Sequence, residues 1–390
     1  MLPDGWTVAT VADVCGFQNG HGFGPDDWTD HGLPIIRIQN LNGGTNFDYY
    51  AGEPDERWLV HPGQMLFAWA GTRGVSFGPC IWDGPTGVLN QHIFMVSPRD
   101  GIDSEWLFWA LRHVTDRIEW SAHGFKATLL HVKKSDIERQ LISIPPRAEQ
   151  QRICTVLKSW ENSVSKLEQL LANSRAQKQA LLHSLLSDRI RKRRGLGGLR
   201  RAPAGEIFVQ SSVRKNEGVQ LLSVMQDVGV VPRASLDRKV VMPEGSTAGY
   251  KRVDPGDFVI SLRAFEGGLE YSRFTGLVSP AYTVIKPRVP IVDDFYRHYF
   301  KSVDFIGRLS IAVIGIRDGK QISYEDFASL QVPYPPVKEQ ERTAKLLNSA
   351  EAMITNTSAM LERLRSEKLA LMQQLLTGKR RLRRPMSSTT

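Results

Sequence analysis

Cysteine is scarce in this chain of 390 residues: Cys15, Cys80 and Cys154 are its only three, too few and too scattered for a disulfide framework or a zinc knuckle. No stretch approaches the roughly 18 uninterrupted apolar residues of a membrane span. The opening Met1-Leu2-Pro3-Asp4-Gly5-Trp6 lacks the basic and apolar regions of a signal peptide. These absences predict a cytoplasmic protein with no membrane contact. Catalytic signatures are missing as well. There is no Asn-Pro-Pro-Tyr of an amino-methyltransferase, no Glu-x-Lys to complete a nuclease metal site, and no Gly-Lys-Ser/Thr phosphate loop of a motor. The glycines of "FQNGHGFG" at 17–24 lack G-x-G-x-x-G spacing and a following amphipathic helix, so the stretch reads as a loop. The histidines at 21, 31, 61, 92, 113, 123 and 131 follow no metal-ligand spacing. No catalytic residue and no metal ligand is assigned.

What is present is ordinary in bulk and unusual in order. The chain is 41% hydrophobic and 23% charged, with a formal net charge of +9. That excess of Lys and Arg suits a polyanionic partner, or serves solubility alone. The phrase Pro-Pro-x-x-Glu-Gln-x-Arg stands at Pro145 and again at Pro335, and the segments behind it, Pro145–Arg194 and Pro335–Arg384, align at a constant offset of 190 without a gap. Ile153, Leu157, Trp160, Val164, Leu167, Leu171, Ser174, Lys178, Leu181 and Leu185 are spaced alternately by four and three. Thr343, Leu347, Ala350, Ile354, Thr357, Leu361, Leu364, Lys368, Leu371 and Leu375 occupy the same rungs of the second copy. Such a sustained heptad seam predicts two long helices that pack lengthwise. The paired prolines fit a helix's first turn, and Glu149 and Glu339 favour its positive end. About 38 residues at ~1.5 Å each make rods of roughly 57 Å. Lys178 and Lys368 share a seam rung, where a polar residue can set register or snorkel to water. Each rod runs into a basic cluster, "DRIRKRRGLGGLRR" at 188–201 and "GKRRLRRPMSSTT" at 378–390, with Gly195, Gly197 and Gly198 as a short joint.

The segments ahead of the rods are related more loosely. "VHPGQMLFAWAGTRG" at 60–74 resembles "VDPGDFVISLRAFEG" at 253–267, and "GVLNQHIFMVSPR" at 87–99 echoes "GLVSPAYTVIKPR" at 276–288. "SEWLFWAL" at 104–111 pairs with "DDFYRHYF" at 293–300 as aromatic-rich short helices. The drifting offset puts insertions in loops and leaves a common strand framework. The expected fold class is α+β: two mostly-β domains, 1–146 and 199–336, alternating with long helices over 147–194 and 337–384. If the rods pair through their seams they run antiparallel, giving a pseudo-two-fold dumbbell. The Trp residues at 58, 69, 82, 106, 109 and 120 fit core positions better than stacking platforms.

At this point the chain resembles the specificity subunit of type I restriction-modification systems. The resemblance covers nearly the whole length and rests on "LPDGW" at 2–6, "GLPIIRIQNLNGG" at 32–44, "VHPGQMLFAWAGTRG" at 60–74, the twin "PP..EQ" openings and the alternating plan. It departs at 201–210, where "RAPAGEIFVQ" replaces a second "LPDGW". The resemblance implies two target-recognition domains, each reading half of a split sequence in double-stranded DNA, with the helices setting the unread spacer. It further implies two methyltransferase subunits carrying S-adenosylmethionine, restriction/translocase subunits using ATP and Mg, and no cofactor or chemistry in this chain itself. The competing class is a coiled-coil interaction scaffold that binds no DNA.

Base reading needs Arg, Lys, Asn or Gln on loops that can enter the major groove. The first half offers Thr72 and Arg73 within the Gly71–Gly74 loop, Lys126, Lys133, Lys134, Gln39 and Asn40. The second offers Arg263, Arg273, Arg317 and Lys320. Each is also compatible with a solvated surface side chain. Helix pairing is expected from Ile153, Leu157, Trp160, Val164, Leu171, Leu181 and Leu185 with Leu347, Ile354, Leu361, Leu364, Leu371 and Leu375.

Overall fold

The computed structural model describes residues 2–390 apart from 73, 122–128, 194, 196, 215–218, 237–248, 315–321 and 383–390. The chain divides into two compact units, residues 1–166 with 361–390, and residues 167–360.

In the first unit, strand Thr7–Thr10 pairs antiparallel with Leu141–Ile144, so the earliest strand closes against the last one before the long helix. Cys15–Asn19, Ile93–Pro98, Met65–Ala68 and Gly78–Ile81 form a four-stranded antiparallel sheet in that spatial order. Met65–Ala68 is buried throughout because both of its faces are covered, as a continuous apolar strand requires. Phe67 points to a core shared with Trp106, Leu107 and Leu111 of helix Ser104–Ser121. Leu66 faces a second cluster with Ile36, Val60, Trp82 and Leu89. A smaller sheet sets Leu33–Ile36 parallel to Gly87–Leu89.

The second unit repeats this plan. Arg201–Pro203 closes against Gln331–Pro333, and its four-stranded sheet runs Phe208–Ser211, Thr283–Pro287, Phe258–Ile260, Glu270–Tyr271. The departure at 201–210 is thereby accounted for. Arg201–Pro203, the turn Ala204–Ile207 and Phe208–Ser211 take the places of Thr7–Thr10, Val11–Val14 and Cys15–Asn19, with different side chains on the same backbone path.

Two helices of 40 residues, Arg147–Leu186 and Val337–Leu376, supply the rods, each about 60 Å at 1.5 Å per residue. They begin where the prolines require: the amides of Glu149 and Gln150 donate to the Pro146 carbonyl, and those of Glu339 and Gln340 to Pro336. Every anticipated seam residue is buried or half-buried, with Leu157, Leu347 and Leu375 fully enclosed. In the first unit, Glu149 pairs with Arg381 and Glu161 with Lys368; in the second, Lys178 pairs with Glu351 and Arg191 with Glu339. One residue number rises as the other falls, so the helices run antiparallel within each unit. Both cores take in helix ends: Ile153, Leu157, Met372, Leu375 and Leu376 in the first, Leu182, Leu186, Ala344 and Leu347 in the second.

The tryptophans divide. Trp82, Trp106 and Trp109 are core, and Trp58 and Trp69 are half-buried. Trp120 is 65% exposed on the last turn of helix Ser104–Ser121, so the core assignment fails there. Trp106 and Trp109, earlier on the same helix, are buried in the core, whereas its last turn extends past that core. Among the described residues, no helix is long and apolar enough to cross a membrane.

Candidate nucleic-acid interface

Of the residues singled out for DNA contact, Arg73, Lys126, Arg317 and Lys320 lie outside the described residues. Gln39 and Asn40 sit on the single turn Ile38–Leu41 that follows strand Leu33–Ile36. Gln39 is exposed, whereas Asn40 is buried. The Asn40 oxygen accepts the Arg37 amide at 2.9 Å, and its nitrogen donates to the carbonyls of Gly44 and Asn46 at 3.0 and 2.9 Å. That amide is spent on folding its own loop. Thr72 ends strand Ala70–Thr72, half-buried, and its amide donates to Ser76 Oγ. Strand Leu129–His131 pairs with Ala70–Thr72, which brings Lys133 and Lys134 onto the same edge of the unit. Lys133 is exposed. Lys134 is tethered: its ammonium donates to the Phe17 carbonyl at 2.9 Å and lies over the Phe94 ring. In the second unit Arg263 is exposed just before the turn Ala264–Gly267. Arg273 is exposed too, its guanidinium 5.6 Å from the Tyr271 ring centre and 4.0 Å from Asp294.

A polar rim at the same edge of the first unit escaped the sequence reading. Trp69 leaves the end of strand Met65–Ala68, and its indole N–H donates to the Gln91 carbonyl at 3.1 Å. The His92 and His131 rings lie 5.3 and 4.6 Å from the Trp69 ring. Gln91 and His131 are exposed. The legible signal was the mismatch between the two repeats, since Asn90-Gln91-His92 corresponds to Ser279-Pro280-Ala281.

Behind these edges, each unit is fastened to its helix by the repeated Glu-Gln. Gln150 is buried; its oxygen accepts the Asp103 amide at 2.8 Å and its nitrogen donates to the Pro145 carbonyl at 3.0 Å. Gln340 does the same with the Val292 amide at 2.9 Å and the Pro335 carbonyl at 2.8 Å. Burial would raise the Glu149 carboxyl, but the bonds from Arg381 and Trp6 outweigh it and hold it below the usual range. So the phrase duplicated at 145 and 335 is a clamp that fixes the start of the long helix to the residue ahead of a shorter helix, Ser104–Ser121 or Asp293–Tyr299.

The grip beside each clamp differs. In the second unit Glu351 accepts from Lys178 at 2.7 Å and Arg297 at 2.6 Å, and His298 lies 2.8 Å from Asn348 Oδ1. Burial tends to raise Glu351, yet these cations win and depress it. In the first unit Phe108 and Trp109 stand where Arg297 and His298 would be, and the Lys368 ammonium sits 5.3 Å over the Trp109 ring. Asp103, Glu105 and Cys154 form the one cluster of metal-ligating types among the described residues. Asp103 is occupied capping helix Ser104–Ser121, and Glu105 pairs with Lys158.

Residues 3–173 match the family model described as "Type I restriction modification DNA specificity domain". The chain is 21% identical over 417 residues to the type I restriction enzyme MjaVIII specificity subunit of Methanocaldococcus jannaschii, covering 98% of this chain and 94% of that one. Its fold is similar to that of the S subunit of a type I restriction-modification system from M. genitalium, with TM-score 0.54, 16% identity and coverage of 95% and 96%. A second solved structure, described as "Structural basis underlying complex assembly and conformational transition of the type I R-M system", matches with TM-score 0.61 and 17% identity, covering 97% of this chain and 100% of that one. The resemblance to type I specificity subunits therefore holds from end to end, and the α+β fold with two long helices is theirs.

Proposed function

We propose that this chain is the non-catalytic, sequence-reading subunit of a type I restriction-modification complex. Residues 1–146 and 199–336 are its two target-recognition domains, each reading one half of a split DNA site. The long helices over 147–194 and 337–384 set the spacer and receive the methyltransferase subunits. The observation that carries the reading is the repetition itself: one framework and one Glu-Gln clamp are used twice, while the exposed edges differ. Two readers on one body make the second contact with DNA intramolecular, which raises affinity without new contacts. The net charge of +9 lowers the cost of approaching phosphate.

For the partner subunits, the second long helix offers a face of its own. Leu346, Met353 and Met360 recur at seven-residue steps and are all exposed. Exposed apolar side chains in heptad register beside an existing seam are what another amphipathic helix packs against. A scaffold without DNA binding would use the same stripe, so DNA binding decides between the two. The test is methylome sequencing of the host with and without this gene. Loss of one split motif is the expected result; an unchanged methylome overturns the reading.

A further inference from the structure

Where the two units share a framework, several of their buried positions correspond. Gly87, Val88 and Leu89 match Gly276, Leu277 and Val278, all buried, and the pair Phe67–Phe94 has its counterpart in Ile260–Thr283. Between these matched stretches lies a short tip, and there the correspondence stops. The first unit has Asn90-Gln91-His92 and the second has Ser279-Pro280-Ala281. The neighbouring strand end differs likewise, Trp69 against Leu262. Gln91 is exposed and His92 half-buried, and both are polar where Pro280 and Ala281 stand in the second copy, so core packing does not dictate these two side chains.

We propose that the tip Gln91-His92, with His131 beside it, discriminates bases in the first unit's half of the target. The proposal rests on the DNA-reading function above and names where that reading is done. The tip is held in place from three sides. The Trp69 indole donates to the Gln91 carbonyl, and the Trp69 amide donates to the His92 carbonyl at 3.4 Å. His131 is fixed by its pairing with Ala70. The segment 20–24, which follows strand Cys15–Asn19, presses on the other side: its His21 amide donates to the Leu89 carbonyl at 2.8 Å. A Cβ on Gly20 would lie 2.3 Å from the carbonyl oxygens of Leu89 and Asn90, so only glycine permits that approach. A Cβ on Gly22 would lie 2.9 Å from Gln91 Oε1, which puts the carboxamide against this loop.

Such a tip is pre-organised, so little ordering is lost on binding. The Gln91 carboxamide offers a donor and an acceptor side by side, the complement of the N6/N7 edge of adenine. The imidazole of His131 offers ring nitrogens for a second base edge or a phosphate. Trp69 touches no base in this scheme and is a positioning residue. The counterpart tip, with Pro280 and Ala281, has no such side chains, so the second unit reads through other loops.

The test uses the full chain assembled with its methyltransferase subunits and selection from a randomised duplex library. Wild type is expected to select a split motif. Gln91→Ala with His131→Ala should lose preference at one or two base pairs of one half by on the order of 10- to 100-fold, with the other half unchanged. Gln91→Glu, which keeps the shape and removes the donor, should move preference at that base pair toward cytosine, whose amino group a carboxylate accepts. Retention of the wild-type motif by both variants overturns the assignment. A wild type that selects no motif overturns the DNA-reading function, and the tip's role with it.

Discussion

Lys178 Nζ lies 2.7 Å from Glu351 Oε1, and the same pair recurs as Glu161 with Lys368, each residue displaced by 190 positions. The two contacts are one interaction written twice, with donor and acceptor exchanging helices. Their surroundings differ. Glu351 also binds Arg297 and is half-buried, whereas Glu161 is half-exposed at 51%. Glu351→Gln is expected to cost about 1–3 kcal/mol, because half-buried Lys178 loses its counter-charge and Arg297 keeps only Asp294. Glu161→Gln should cost less than about 1 kcal/mol. Urea unfolding of the two variants measures the difference, and equal losses would contradict it.

The clamp residues should be more sensitive than any ion pair. Gln150→Leu leaves the Asp103 amide and the Pro145 carbonyl without partners in a buried site, and Gln340→Leu does the same to Val292 and Pro335. Each unsatisfied group costs about 1–3 kcal/mol. Denaturant titration should show a loss of several kcal/mol for either substitution, with a matching loss of the affected half of the methylation motif.

Acid should weaken both units through one buried histidine in each. Burial, reinforced by Arg117, lowers His113 to about 4, and burial with Arg297 lowers His298 to about 4. A histidine held neutral in the fold binds its proton later than in the unfolded chain. Stability is therefore constant above about pH 6.5 and falls as pH drops toward 4, by about 1.4 kcal/mol per pH unit for each histidine. Melting temperature against pH should show this decline, and His298→Gln should flatten it. A variant with the wild-type slope would show that His298 is not responsible.

Lys133 and Arg263 are exposed, and neither has an acidic partner described. If each meets a phosphate, replacing either with Ala should lower the slope of log affinity against log salt by about 1 without altering base preference. Binding to a fixed duplex at four salt concentrations is sufficient to read this.

Leu346→Gln, Met353→Gln and Met360→Gln together should leave the melting temperature within a few degrees, since all three side chains are exposed. Co-purification with the methyltransferase subunits is expected to fail. Intact assembly by the triple variant would assign the stripe no docking role.

The long helices were legible in the sequence because a heptad seam is a local signal: each rung lies three or four residues from the next. The four-stranded sheets were legible only as strands. Their order depends on pairings such as Phe94 with Asn19 and Phe67, which no spacing reveals. Gln150 illustrates the limit well. Its place in a repeated phrase was visible, but its partner Asp103 is 47 residues away, so its task was not. Asn40 illustrates the converse. A polar residue after a strand suggested an outward-facing donor, and the chain instead turns back to use all of its amide. Trp120 misled for a related reason, because helical periodicity marks a face without saying how far the core extends.

The sharing of helix ends between cores has a consequence for synthesis on the ribosome. Residues 167–360 hold everything the second unit needs, whereas the first lacks Met372, Leu375 and Leu376 until the chain has been made past residue 376. Residues 1–166 thus complete their core after residues 167–360 have been made, and a chain interrupted at residue 360 leaves that core open. Limited proteolysis of nascent chains stalled at residue 360 would expose this order through rapid cleavage within residues 1–146.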